Sequence, residues 1–286
     1  MKSLKYYFQK SQNEKFAIGQ FNFSDFTQVK GIVAIAEKSQ SPIILGTSEG
    51  ESKFFGLNEA VAIRDTLRQR TGLPIFLNLD HGKTFEYIKT AIDAGYDMVH
   101  FDGSNLSLVE NIEKTNQVIK YAKWRGVLVE GEVGKIGNDS SKIYAEKLEI
   151  KEENLTKSND VELYLRDAKV DVLAVGIGNF HGVQTSGLNP NLKIDVLKKI
   201  KDVANNTGLV LHGGSGTPDK DIKEAILNGI VKININTELR SAFTKGLKLA
   251  ISGDEIVPYK YLIYAQKEVE KIIETKIALF GSAFKV

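Results

Sequence analysis

The 286-residue sequence predicts an α/β fold, a (β/α)8 TIM barrel with additional C-terminal helices, and three observations carry that prediction. Short runs of strand character recur along the whole chain, eight in number and steadily spaced. Helical patterns fill the intervals between them. Several strand runs are nearly continuous in Val, Ile and Leu, as parallel strands covered on both faces are. A doubly wound open sheet would use the same alternation, but eight regular units favour closure.

The strand runs are FAIGQFNF (16–23), PIILGTS (42–48), PIFLNLD (74–80), DMVHFDG (97–103), VLVEGEVG (127–134), DVLAVGIG (171–178), LVLHGG (209–214) and VKININT (231–237). Between the first two, FTQVKGIVAIAEKSQ repeats apolar residues at three- and four-residue spacing, a helical period. LVENIEKTNQVIKYAKWRG does the same and stops at Gly126. TPDKDIKEAILNG offers Thr217 as N-cap and Pro218 as first helical residue. The tail from 258 to 286 reads as one or two terminal helices, and the absence of a linker or low-complexity stretch predicts one domain over 1–286.

Composition narrows the function. Hydrophobic residues make up 42% and charged residues 26%, which suits a globular protein with a large core. The net charge of +2 is dispersed, so neither nucleic acid nor an anionic membrane surface is an expected partner, while a small anionic substrate is compatible. There are no cysteines, so any metal must be held by His, Asp and Glu. The polar opening MKSLKYYFQKSQNEK is unlike a signal peptide and no apolar run reaches membrane-spanning length, so a cytoplasmic location is expected.

Barrel enzymes carry their chemistry at the C-terminal ends of the strands, and here every such end is polar. In order they present Asn22; Ser48; Asp80 and His81; Asp102 and Ser104; Glu130 and Glu132; His181; His212; and Asn234 to Thr237. Three of the four histidines, His81, His181 and His212, are each followed by glycine at predicted strand ends. Three imidazoles converging from different strands would form an open site for Zn2+ or a similar divalent ion. The fourth, His100, falls inside a strand and reads as packing. A second feature lies in LHGGSG (211–216) and NINT (234–237), each running into a helix. Amides at those helix starts, with the hydroxyls of Ser215 and Thr237, would make a phosphate cradle.

These blocks resemble the class II, metal-dependent ketose-bisphosphate aldolases, a family that includes fructose- and tagatose-bisphosphate aldolases. LNLDHGKTFEYIKTAIDAGYDMVHFDGS, VEGEVG, VDVLAVGIGNFHG and LVLHGGSGTPDKDIKEAILNGIVKININTELRSAF carry the resemblance in order. It implies reversible aldol cleavage of a ketose bisphosphate, fructose 1,6-bisphosphate foremost, to dihydroxyacetone phosphate and an aldehyde. It assigns Asp80 as the catalytic acid–base and His81, His181 and His212 as zinc ligands. Glu132 would hold an alternate or second metal position. Gly182, Gly213, Gly214, Ser215, Asn234, Ile235, Asn236 and Thr237 would contact phosphate and substrate, with Ser48 and Asn22 at neighbouring strand ends. The resemblance further implies a monovalent cation (Na+ or K+) near the phosphate and a homodimer or homotetramer.

The sequence departs from that family at three places. The loop after the fifth strand normally carries Gly-Gly-x-Glu-Asp, whose glutamate abstracts a proton; here it reads GKIGNDSSKIYAEK, with Ser140 and Ser141 near that position and Asp139 or Glu146 as substitutes. Asn236 stands where fructose-bisphosphate members have Asp, and Phe180 where a small residue is usual. The alternatives are therefore an aldolase for another ketose phosphate, such as tagatose 1,6-bisphosphate, or a non-catalytic sugar-phosphate-binding barrel.

Overall fold

The computed structural model describes residues 1–136, 142–146, 148–251 and 255–286. Its eight main strands are β1 (Ile18–Asn22), β2 (Ile43–Ser48), β3 (Ile75–Gly82), β4 (Met98–Phe101), β5 (Leu128–Val133), β6 (Val172–Val175), β7 (Gly208–Leu211) and β8 (Ile230–Ile235). All neighbours are parallel, and β1 pairs with both β2 and β8, so the sheet closes into a barrel. Each of the eight strand runs expected from the sequence is present, with ends shifted by a few residues; β3 runs on past Asp80 to Gly82.

The helices are α1 (Leu4–Glu14), α2 (Phe26–Lys38), α3 (Glu49–Phe55), α4 (Leu57–Thr71), α5 (Phe85–Ala94), α6 (Leu108–Lys123), α7 (Ser158–Asp167), α8 (Ile194–Val203), α9 (Asp219–Leu227), α10 (Thr237–Ala250) and α11 (Pro258–Phe280). Local chemistry sets several starts. Asp25 with Gln28, Ser48 with Glu51, and Ser107 with Glu110 form reciprocal capping boxes at α2, α3 and α6. One expectation changes, at the start of α9. Pro218, not Thr217, occupies the N-cap of α9, and the Thr217 hydroxyl instead donates to the Gly213 carbonyl at 3.0 Å. The tail forms a single 23-residue helix, α11, packed against α10 and α2. The polar N-terminus folds as α1, whose Leu4, Tyr7 and Phe8 plug the bottom of the barrel against Ile18, Ile44, Phe76, Met98, Val172 and Val210. An 11-residue helix with that few apolar positions has a weak periodic signal, and packing supplies its stability.

Side chains alternate in and out along a strand, and the inward register splits the barrel into two zones. The apolar floor just described fills the N-terminal half. Above it the inward residues Gln20, Asn22, Asn78, Asp80, His100, Glu130, Glu132, His212, Lys232 and Asn234 are polar, and none is more than 6% exposed. The strands that looked continuously apolar thus carry a buried polar core, which must satisfy its own hydrogen bonds. Asn78 donates to Gln20 Oε1 at 2.8 Å, and Gln20 donates to Asn22 Oδ1 at 3.0 Å. Gly46 on β2 leaves the space those amides use, since a Cβ there would meet Asn22 Oδ1 at 2.4 Å. Among the described residues, no helix is long and apolar enough to cross a membrane.

Candidate active site

Asp80 and His81 are consecutive, yet both face the site. Strict alternation forbids this. The β3–β4 register shifts between Leu79 and Gly82, and His81 takes φ 52°, so a bulge turns the second side chain inward. A non-glycine residue in the left-handed region is strained by about 1–3 kcal/mol, so the surrounding structure must hold His81 there.

Asp80 is held from both sides: Asn22 Nδ2 donates to Oδ2 and Asn234 Nδ2 to Oδ1, each at 2.9 Å. Burial opposes ionisation of this carboxyl, but the charges of His81, His212, Lys232 and His100 hold it well below the usual carboxylate range.

His81 Nδ1 lies 3.0 Å from Asp102 Oδ2, and its Nε2 lies 3.0 Å from His212 Nδ1. The outer nitrogen of His212, Nε2, donates to Glu130 Oε1 at 2.5 Å, and the second oxygen of Glu130 accepts from Lys232 Nζ at 2.7 Å. Glu130, His212 and Lys232 are all fully buried. Each imidazole thus has one nitrogen engaged by a carboxylate, and the remaining two nitrogens face each other. Burial disfavours charge on His81, yet Asp80, Asp102 and Glu132 raise it to about 9. Burial, His81, His100 and Lys232 push His212 well below 6.5. One proton therefore sits on His81 Nε2 and points at the His212 lone pair.

That arrangement fits a metal ion. Two ligands about 2.0–2.1 Å from one tetrahedral zinc stand roughly 3.3 Å apart, close to the 3.0 Å gap between the two nitrogens. The carboxylates behind the rings are the usual outer support of metal-bound histidine. His181, in the loop after β6, is the third imidazole, with its ring centre 4.8 Å from His81 and 6.0 Å from His212. Burial and the neighbouring His81 lower it to about 3, so it is a neutral donor. Glu132, raised by burial and by Asp102, lies 4.0 Å from His81 Nδ1. The ligand atoms of His81, Asp102 and Glu132 lie within 4.8 Å of one another, as do those of Asp80, His81, His100 and His212. His100, read from the sequence as packing, is therefore part of the cluster.

A narrow annexe of about 40 Å3 adjoins the cluster, lined by Ser48, Asp80, His81, His181, Gly182, Gly213, Ser215, Asn234, Asn236 and Thr237. All ten were singled out from the sequence. Gly213 has φ 62°, and a Cβ there would sit 2.1 Å from the Phe180 carbonyl oxygen. Two residues assigned to this cradle stand back from it. The Ile235 side chain is in the hydrophobic core, and the Gly214 amide donates to the Asn234 carbonyl at 3.1 Å, so neither Ile235's side chain nor that amide faces the annexe. On the other side of His81 and His181 the site opens into a cavity of about 810 Å3, with Lys53, Lys83 and Lys135 in its wall.

Several supporting residues carried no sequence motif. Asn189 donates to the carbonyls of Gly182 and Ser215 at 2.9 and 3.0 Å, stapling the two glycine loops. Asn179 donates to the His212 carbonyl at 2.9 Å. Glu51 accepts from Asn22, from Asn236 at 3.3 Å and from Arg240 at 2.6 Å. That contact explains Asn236, because an aspartate there would set one carboxylate against another. The one available signal was Lys232, a lone cation at an inward position of an apolar strand. Of the proposed loop bases, Asp139 and the neighbouring Ser140 and Ser141 lie outside the described residues, and Glu146 is exposed. Just before Glu146, Ile143–Tyr144 pairs with Val183–Gln184, tying this loop to the one that bears His181.

Comparison with known proteins agrees with this geometry. The sequence profile described as "Fructose-bisphosphate aldolase class-II" matches residues 2–285. A fructose-bisphosphate aldolase of Geobacillus stearothermophilus is 34% identical, covering 99% of this chain and 98% of its own. One from Ureaplasma parvum is 36% identical, covering 97% and 96%. Among solved structures, the YdjI aldolase of Escherichia coli K12 superposes with a TM-score of 0.85 at 28% identity, over 100% of this chain and 99% of that one. A fructose-bisphosphate aldolase of Campylobacter jejuni shares the fold, with a TM-score of 0.83 at 24% identity over 98% and 94%.

Proposed function

Since the chain belongs to the class II fructose-bisphosphate aldolase family, we propose that it is a zinc-dependent aldehyde-lyase acting on fructose 1,6-bisphosphate. The reaction is reversible aldol cleavage to dihydroxyacetone phosphate and glyceraldehyde 3-phosphate, with residues 1–286 as one catalytic domain. The observation that carries this reading is the bulge on β3, which delivers a buried ionised carboxylate, Asp80, beside a metal-competent pair, His81 and His212, at the mouth of a glycine-lined annexe.

His81, His181 and His212 would hold the ion, with Glu132 as an alternate or second position. When bound, a divalent ion supplies Lewis-acid polarisation of the substrate carbonyl and stabilises the negative charge that develops there. Asp80 takes the proton of the C4 hydroxyl during cleavage and returns it in the condensation direction. Asn22 and Asn234 fix the orientation of that carboxylate. Backbone amides of the glycine loops and the start of α10 receive the phosphate, which orients the three-carbon half. A Na+ or K+ ion near this phosphate belongs to the same reading. So does a cytoplasmic homodimer or homotetramer, supported by the exposed apolar side chains Leu249, Ile251, Ile256 and Tyr259 around the junction of α10 and α11.

A second reading keeps the chemistry and changes the sugar to another ketose phosphate, such as tagatose 1,6-bisphosphate. It is favoured by Asn236, which faces Glu51 where the family's fructose-bisphosphate members have Asp. One experiment separates the two: a panel of ketose bisphosphates and monophosphates, read by dihydroxyacetone-phosphate release, before and after chelation. Fructose 1,6-bisphosphate should be cleaved fastest, with activity lost on chelation and restored by zinc. Metal binding with no turnover of any sugar would leave only a non-catalytic barrel.

A further inference from the structure

His100 has no role in the reaction just described, yet it lies fully buried directly beneath the site. Its ring centre is 4.7 Å from that of His81 and 4.8 Å from that of His212. We propose that His100 is a positioning residue: one ring nitrogen holds the bulge that presents Asp80 and His81, and the other orients Glu132. This rests on the metal-binding reading above.

The argument begins with the bulge. An inserted residue takes its N–H off the regular ladder, and a buried N–H without a partner is disfavoured. Here the stray donor is the His81 amide, on a residue already held at φ 52°. His100 Nδ1 accepts it at 3.2 Å. Accepting at Nδ1 requires a lone pair there, so the proton of the neutral ring sits on Nε2. That Nε2 lies 3.2 Å from Glu132 Oε2. The pair lacks the alignment of a full hydrogen bond, and neither buried atom has a hydrogen-bond partner among the described residues. Elsewhere β4 is apolar, with Met98, Val99 and Phe101. Packing alone would place a fourth apolar residue at 100. An imidazole accepts the stray amide with Nδ1 and at the same time places Nε2 3.2 Å from Glu132 Oε2.

Chemically matched variants test this in the full-length protein. His100→Leu removes both contacts. His100→Asn keeps an acceptor where Nδ1 sits, and His100→Gln keeps a donor where Nε2 sits. Zinc affinity, measured by competition with a chromophoric chelator, should fall roughly 10–100-fold in His100→Leu, the usual effect of losing an outer partner of a metal ligand. His100→Asn should recover most of that loss and His100→Gln little. Melting of the metal-free proteins shows that each is folded. If His100→Leu does not fold, the contrast between Asn and Gln still decides. Independently, 15N-histidine labelling gives only four imidazoles to assign. His100 should show the Nε2–H tautomer with and without zinc, while His81 and His212 shift on zinc addition.

Either of two results would overturn the proposal: folded His100→Leu binding zinc as tightly as wild type, or an Nδ1–H tautomer at His100. Failure of the wild-type protein to bind zinc would instead sink the metal-binding reading, and the tautomer would still decide whether His100 accepts the His81 amide.

Discussion

Replacing Lys232 by Met tests whether the buried polar core holds the site in place. Lys232 Nζ and Glu130 Oε2 are 2.7 Å apart and both residues are fully buried. Without the ammonium group, the Glu130 carboxylate stays buried with the His212 N–H as its remaining partner. Breaking a buried pair from one side costs about 3–5 kcal/mol, because the other charge is left uncompensated. Unfolding entropy near 2.1 cal/mol/K per residue amounts to about 0.6 kcal/mol/K over this chain. Lys232→Met should therefore lower the melting temperature of the metal-free protein by about 5–8 °C, read by calorimetry at neutral pH. The double variant Lys232→Met/Glu130→Gln should regain at least half of that loss, since a neutral amide needs no counter-ion. A single-variant drop under about 2 °C, or a double variant whose loss is the plain sum of the two single losses, would refute the reasoning.

Two further outcomes follow from the site. Asp80→Asn keeps the shape but not the base, so cleavage should slow roughly 10²–10⁴-fold while zinc stoichiometry is unchanged; wild-type turnover in that variant would remove Asp80 from the mechanism. The second concerns pH. His81 is raised to about 9 in the folded, metal-free protein, against about 6.5 unfolded. Its stabilising contribution is fully present below pH 6.5 and is lost as pH rises through 9. Zinc must displace that same proton, so its affinity should rise with pH up to about 9 and level off above. Calorimetric titrations in buffers of different ionisation enthalpy should show a proton released on binding at pH 7. A flat affinity between pH 6.5 and 9 would contradict the assignment.

Much of the fold was legible because it rests on local signals. Eight strand runs and their helices declare themselves through period and turn residues, and each strand appeared where expected. The rim was legible too: once strands alternate with helices, polar residues at strand ends must meet on one face of a barrel. That is why the annexe is lined entirely by residues named beforehand. Thr217 was misplaced by one position because its hydroxyl found a carbonyl across the loop instead of capping α9. The helix α1 went unseen because its stability comes from plugging the barrel floor, a contact between distant parts of the chain.

By itself, then, the sequence determined the barrel, the membership of the rim and the pairing of an acid with an imidazole in LDHG. The tertiary structure alone decided which way those residues point and what stands behind them. A bulge between β3 and β4 turns Asp80 and His81 to the same side, overriding the two-residue period that any sequence reading must assume. Lys232, Glu130 and His212 come from β8, β5 and the end of β7, and form one buried chain only because the curved sheet aims inward side chains of separate strands at a common axis. The contacts of His100 are decided in the same way. Inside a strand an imidazole and an apolar ring share one position in the pattern, and only its neighbours on the adjoining strands β3 and β5 reveal what its two nitrogens face.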